Sequence, residues 1–234
     1  MRKHIPNMIT CCNLLSGAVA TYMAFNEQYN IAFVLIILAA VFDFFDGFSA
    51  RLLGVSSPIG KELDSLADDI SFGLAPSLML FVYLKQNSPL GWWSSIVLLM
   101  AAFSALRLAK FNLDTRQSDS FIGLATPANT LFWVSLICTM NSFAAEVNIT
   151  VAVALVVGSL ISCFLLVSEI PFFALKFHNA KWKDNKVRFV FLTGSLVLVI
   201  TSVVLALTLS AQWLLPIGCA IIIWYLILSL ITRK

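Results

Sequence analysis

The chain has 234 residues, of which 60% are hydrophobic and only 12% charged, with a formal net charge of +3. Soluble domains carry about 25% charged residues, so a water-exposed globule is excluded and an integral membrane protein is expected. No basic tail or arm is present to hold nucleic acid, and none is expected as a partner.

A spanning helix needs about 20 mainly apolar residues. In chain order, eight stretches qualify, at approximately 8–25, 31–53, 61–84, 92–112, 127–145, 149–172, 188–209 and 212–232. The first follows Met1-Arg2-Lys3-His4 and reads as a retained span rather than a cleaved leader. Its basic start, with Ile5, Pro6 and Met8, also suits the membrane interface. Ser210 and Ala211 alone separate the last two stretches, which predicts a tight helical hairpin over about 188–232. The expected fold is all-α: one polytopic transmembrane bundle of about eight helices occupying residues 1–234. Six deep and two shallow spans are the alternative.

Charge placement orients the bundle. With the N-terminus on one face, fourteen of the fifteen Lys and Arg residues fall on that face and Lys85 alone on the other. The positive-inside rule makes the rich face cytoplasmic, so both termini and the loop 54–60 are expected there. Lys181, Lys183, Lys186 and Arg188 read as part of this signal and as headgroup contacts. Trp92, Trp93, Trp182 and Trp213 fall at span ends, as an interfacial belt would. The five cysteines, Cys11, Cys12, Cys138, Cys163 and Cys219, lie in apolar stretches without C-x-x-C spacing and read as small buried hydrophobes. His4 and His178 lie outside the spans, so a His-based metal site is not expected.

The chemistry concentrates around the second and third spans, where Asp43, Asp46, Asp64, Asp68 and Asp69 occur in otherwise apolar sequence. Each such carboxylate costs about 2.5–3.5 kcal/mol at a helix centre on insertion scales. Asp43 and Asp46 are three residues apart, and Asp64 and Asp68 four, so each pair shares a helix face. Both antiparallel pairings, 43 with 68 and 46 with 64, are centred on residues 55–56, which places the four carboxylates level, about two turns below the interface. Four ionised carboxylates in a low-dielectric site repel, so either some are protonated or cations lie among them. All-oxygen ligands suit Mg²⁺, Mn²⁺ or Ca²⁺, and this many ligands suit two ions. Gly47, Ala50 and Gly60 leave room for a ligand to approach the backbone, Arg51 suits a phosphate, and Ser56 and Ser57 add hydroxyls. A structural ion-pair network with Arg51 and Lys61 is the alternative, but two bases do not balance five acids.

Residues 43–68 match D-x-x-D-G-x-x-A-R-x(8)-G-x(3)-D-x(3)-D at every fixed position. This resembles the signature of the CDP-alcohol phosphotransferase family, membrane helical bundles, often homodimeric, that use a divalent metal to displace CMP from a CDP-alcohol by a second alcohol. The resemblance implies that Asp43, Asp46 and Asp64 bind metal and that Asp68 is both ligand and general base. It implies that Gly47, Ala50, Arg51, Gly60 and Ser57 hold the nucleotide and its phosphates. Spacing alone does not select the base.

Further stretches are similar to the phosphatidylserine synthase subgroup. They are Ile5-Pro6-Asn7 to Gly17, Asp64 to Pro76, Arg107-Leu-Ala-Lys110-Phe-Asn112, Phe121 to Ala128 and Ser168 to Lys176. Ala125 stands where that pattern leads one to expect proline. The resemblance implies CDP-diacylglycerol and L-serine as substrates, meeting at the cytoplasmic side of the cell membrane among its lipids. Arg107 and Lys110 could then take the serine carboxylate, and Asp69 or Glu169 its ammonium. For Arg107 and Lys110, snorkelling to anionic headgroups is the competing role. The rival functions are a sister enzyme with glycerol 3-phosphate or an inositol phosphate as acceptor, and a membrane cation transporter using intramembrane carboxylates.

Overall fold

The computed structural model describes residues 4–55, 57–114, 120–173, 175 and 182–232. Helix α1 (Ile5–Phe25) and α2 (Tyr29–Leu53) form an antiparallel pair across a short turn. Gly54, at φ +61°, closes α2 with a left-handed cap, a conformation glycine adopts without steric cost. Helix α3 (Pro58–Asp68) starts at Ser57, whose Oγ accepts the Gly60 N–H at 3.0 Å, with Pro58 in the first turn. It runs through a π-helical turn (Asp69–Leu74) into α4 (Ala75–Asn87). A 3₁₀ segment (Gly91–Leu98) leads into α5 (Leu99–Leu113). After β1 (Ser120–Ile122) come α6 (Thr126–Ser142), α7 (Ile149–Val167), β2 (Pro171–Phe173), α8 (Trp182–Thr208), a 3₁₀ turn (Ala211–Leu214) and α9 (Ile217–Ile231).

Among the described residues, seven helical segments are long and apolar enough to cross a membrane: Ile5–Phe25, Tyr29–Leu53, Pro58–Asn87, Gly91–Leu113, Ile149–Val167, Asn185–Thr208 and Ala211–Ile231. The chain is an integral membrane protein. The stretch expected over 127–145 is the 17-residue α6. At 1.5 Å per residue it is about 26 Å long, and it buries Trp133, Val134, Ile137 and Cys138 against its neighbours. Helix α4 is the centre of the main core, with Met79, Leu80 and Leu84 fully buried. Helix α8 is peripheral, exposing Leu196, Val197 and Ile200. Apolar side chains facing outward along a span are what lipid contact requires. Cys138 and Cys163 are buried as expected, whereas Cys11 and Cys12 are exposed on α1 and Cys219 is half-buried. Lys181 lies outside the described residues, as do Ser56 and His178.

The two-stranded ribbon was not foreseen. β1 and β2 pair antiparallel, with Phe121 opposite Phe172. Gly123, at φ +76°, follows β1, and a methyl there would approach the Leu166 carbonyl to 2.6 Å. Ala125 adopts φ −65°, the value a proline would impose, so the loop keeps a proline-compatible shape without the ring. The ribbon joins the loops after α5 and α7 over a second small core of Leu124, Phe172, Phe191, Tyr225 and Leu228. Tyr225 of α9 donates to the Phe173 carbonyl at 3.1 Å.

Candidate active site

Asp43 and Asp46 lie on the last turns of α2 and Asp64 and Asp68 on α3, across the loop closed by Gly54 and Ser57. Carboxylate oxygens of Asp43, Asp64 and Asp68 lie within 4.8 Å of one another. Asp64 Oδ1 is buried and has no hydrogen-bond partner among the described residues. Three converging carboxylates, one with an unsatisfied oxygen, form a hard, all-oxygen donor set that fits a divalent cation.

Asp46 is a fourth carboxylate, near enough to Asp43, Asp64 and Asp68 for its charge to interact with theirs. It is buried, and its Oδ2 accepts the Thr10 hydroxyl of α1 at 2.6 Å. Asp68 is likewise held from α1, its Oδ1 accepting from Asn13 Nδ2 at 3.1 Å. These two α1 residues had no role assigned from the sequence beyond lying in a subgroup-like stretch. Asn7, Thr10, Asn13 and Ser16, a polar residue every three positions on an otherwise apolar helix, are the signal that could have found them.

Arg51 is exposed, and its Nη1 would lie 3.6 Å from a methyl on Gly47, so the guanidinium folds back over Gly47 on the same helix. A methyl on Gly60 would come within 3.0 Å of Ser57 Oγ and 3.1 Å of Asn7 Oδ1. Gly60 thus lies against the start of α1, and Ser57 is already engaged as a helix cap. Ala50 is half-buried one residue before Arg51. Lys61 donates to the Asn112 carbonyl at 3.0 Å, and Asn112 Nδ2 donates to Ser65 Oγ at 2.7 Å. Lys61 therefore ties α3 to α5.

Beside the trio, Arg107 of α5 is buried, donates to Thr126 Oγ1 at 3.4 Å and lies near enough to Asp68 for their charges to interact. Its Nε has no hydrogen-bond partner among the described residues. Arg107 and the exposed Lys110 line a small cleft together with Asp114, Ser168 and Glu169. Asp69 is not in this cleft. Its Oδ1 is buried over Gly73, where a methyl would meet both it and Ser104 Cβ of α5.

A family model of CDP-alcohol phosphatidyltransferases matches residues 3–167. The chain belongs to the CDP-alcohol phosphatidyltransferase family. The matched region runs from α1 to α7 and contains every aspartate of the site. Members of this family are generally dependent on a divalent cation, in keeping with the acidic trio. Among curated relatives, the chain is 36% identical over 141 residues to a CDP-diacylglycerol–serine O-phosphatidyltransferase of Helicobacter pylori (strain ATCC 700392 / 26695), covering 59% of each chain. It is 34% identical over 148 residues to one of Mycobacterium leprae (strain TN), covering 60% of this chain and 49% of that one. It is 32% identical over 180 residues to one of Bacillus subtilis (strain 168), covering 76% of this chain and 95% of that one. The chain thus spans only about half to three-fifths of the length of the Mycobacterium and Helicobacter relatives.

Proposed function

We propose that the protein transfers the phosphatidyl group of CDP-diacylglycerol to the hydroxyl of L-serine, giving phosphatidylserine and CMP. The observation that carries this reading is the trio Asp43, Asp64 and Asp68 within 4.8 Å, beside a cleft holding Arg107, Lys110 and Glu169. The names of the family relatives support serine as acceptor.

Asp43, Asp64 and Asp68, joined by Asp46, would hold one or two divalent cations, Mg²⁺ or Mn²⁺, with Ca²⁺ as a further occupant. When bound, such ions neutralise the diphosphate and the charge developing on departing CMP. Arg51, over the small residues Gly47 and Ala50, would grip the diphosphate, and Gly60 would leave room for the nucleotide at the α1–α3 contact. Ser57 would join them only by giving up its cap. Asp68 would accept the serine hydroxyl proton as that oxygen bonds to the lipid-side phosphorus and the phosphorus–oxygen bond to CMP breaks. Arg107 and Lys110 would take the serine carboxylate. Of the two candidates for the ammonium, the cleft favours Glu169 over Asp69.

The charge asymmetry supports a cytoplasmic site with both termini cytoplasmic, in the cell membrane. An amphipathic lipid donor and a water-soluble acceptor meet most readily just below that interface. The chain would act as one membrane domain, ending in the α8–α9 hairpin, and as a homodimer.

The deciding experiment uses purified, chelated protein with CDP-diacylglycerol and labelled serine, glycerol 3-phosphate or inositol phosphate. Phosphatidylserine and CMP are expected from serine on adding Mn²⁺ or Mg²⁺. Product from a different acceptor reassigns the substrate, and no CMP release with any acceptor ends the enzymatic reading.

A further inference from the structure

Thr10 and Asn13 sit one turn apart on α1, and each touches one aspartate of a different partner helix. Thr10 is buried and has two acceptors in reach, the Pro6 carbonyl at 3.1 Å and Asp46 Oδ2 at 2.6 Å. The shorter contact is of the length expected when a hydroxyl donates to a charged oxygen. Asn13 is fully buried, and its Nδ2 donates to Asp68 Oδ1. Its own Oδ1 has no partner among the described residues. A buried amide with an unsatisfied acceptor costs the fold about 1–3 kcal/mol, so packing alone does not account for asparagine here.

The helix carrying these two residues is also clamped. Ser71, in the π-helical turn just after Asp68, donates to the Asn13 main-chain carbonyl at 3.0 Å. Gly17 packs on the same serine, with no room for a methyl. Thr10 and Asn13 are therefore presented from a backbone that cannot shift relative to α3.

We propose that Thr10 and Asn13 are positioning residues of the aspartate centre. Thr10 fixes Oδ2 of Asp46, the fourth carboxylate beside Asp43, Asp64 and Asp68. Asn13 occupies Oδ1 of Asp68 and so fixes the orientation of the carboxylate that takes the acceptor proton. Residues that orient metal ligands from behind change metal affinity or activity by about 10- to 100-fold when removed. The proposal rests on the metal-site reading above and adds to it which helix sets the geometry.

The test is Mn²⁺ binding, followed by the spectroscopic signal of free Mn²⁺, on detergent-solubilised full-length protein. Thr10→Val, Thr10→Ser and Asn13→Leu are compared with the parent, alongside melting temperatures. Thr10→Val is expected to weaken Mn²⁺ binding by about 10-fold or more, and Thr10→Ser to restore it. Asn13→Leu is expected to lower kcat with the KM for serine unchanged. A purely structural role predicts lower melting temperatures with Mn²⁺ affinity of the folded protein unaltered, and that result overturns the proposal. If Asn13→Leu fails to fold, the Thr10 pair still decides. Absence of Mn²⁺ binding by the parent overturns the metal-site reading itself, a result distinct from parent and variants binding equally.

Discussion

Thr130 of α6 donates its hydroxyl to the main-chain carbonyl of Phe72, 2.5 Å away, inside the π-helical turn that follows Asp68 and Asp69. Pro76, four residues on, has no N–H to give that carbonyl an α-helical partner. Thr130 also reaches its own Thr126 carbonyl at 2.9 Å, as a helical threonine commonly does. Thr130→Val keeps the shape and leaves the Phe72 carbonyl buried without this donor. A loss of about 1–3 kcal/mol is expected, read as a lower melting temperature in detergent, with Thr130→Ser close to the parent.

Two glycines predict opposite behaviour. A methyl on Gly17 would lie 2.6 Å from the Ser71 Cα, a backbone atom that cannot swing away. Gly17→Ala should push α1 off the π-helical turn and destabilise the protein by about 1–3 kcal/mol. A methyl on Gly47 meets only Arg51 Nη1, at 3.6 Å. Gly47→Ala should leave the melting temperature near the parent's while raising the KM for CDP-diacylglycerol, because the added volume lies under the guanidinium proposed to grip the diphosphate. Equal melting losses in both variants would contradict this contrast.

Asp68 and Asp64 separate base from ligand. Asp68→Asn should lower turnover by about 10²- to 10⁴-fold, the usual contribution of a positioned proton acceptor, and keep most Mn²⁺ binding. Asp64→Asn should lose Mn²⁺ binding and activity together, since Asp64 Oδ1 is the buried trio oxygen with no hydrogen-bond partner among the described residues, whereas Asp68 Oδ1 already accepts from Asn13. Initial rates and Mn²⁺ titrations on the same preparations check both. Near-normal turnover in Asp68→Asn would remove Asp68 from the base role. For the parent, chelation should stop CMP release and added Mn²⁺ should restore it.

The cleft beside the trio makes a kinetic prediction. Arg107→Gln should raise the KM for serine by about tenfold, the cost of one charge-assisted contact near 1.4 kcal/mol, and leave the KM for CDP-diacylglycerol unchanged. Glu169→Gln should do the same, whereas Asp69→Asn should not, because Asp69 lies over Gly73 and outside the cleft. Steady-state kinetics with each substrate varied in turn distinguishes the three.

Much of this protein is written in properties that neighbouring residues share. Bilayer thickness and a 3.6-residue period made the apolar helices readable, and the equal offsets of the aspartates from one loop put Asp43, Asp64 and Asp68 at a common depth. Ser57 and Pro58 announce the start of α3 for the same local reason. What could not be read locally depends on contacts between distant parts of the chain. Asp46 is held by Thr10, 36 residues away, and Asp68 by Asn13, 55 residues away. The π-helical turn accepts a side-chain hydrogen bond from α6, and the ribbon pairs loops about fifty residues apart. The choice between Asp69 and Glu169 beside Arg107 is of the same kind. Periodicity reports which face of a helix a side chain occupies, and the helix packed against that face determines what the side chain meets.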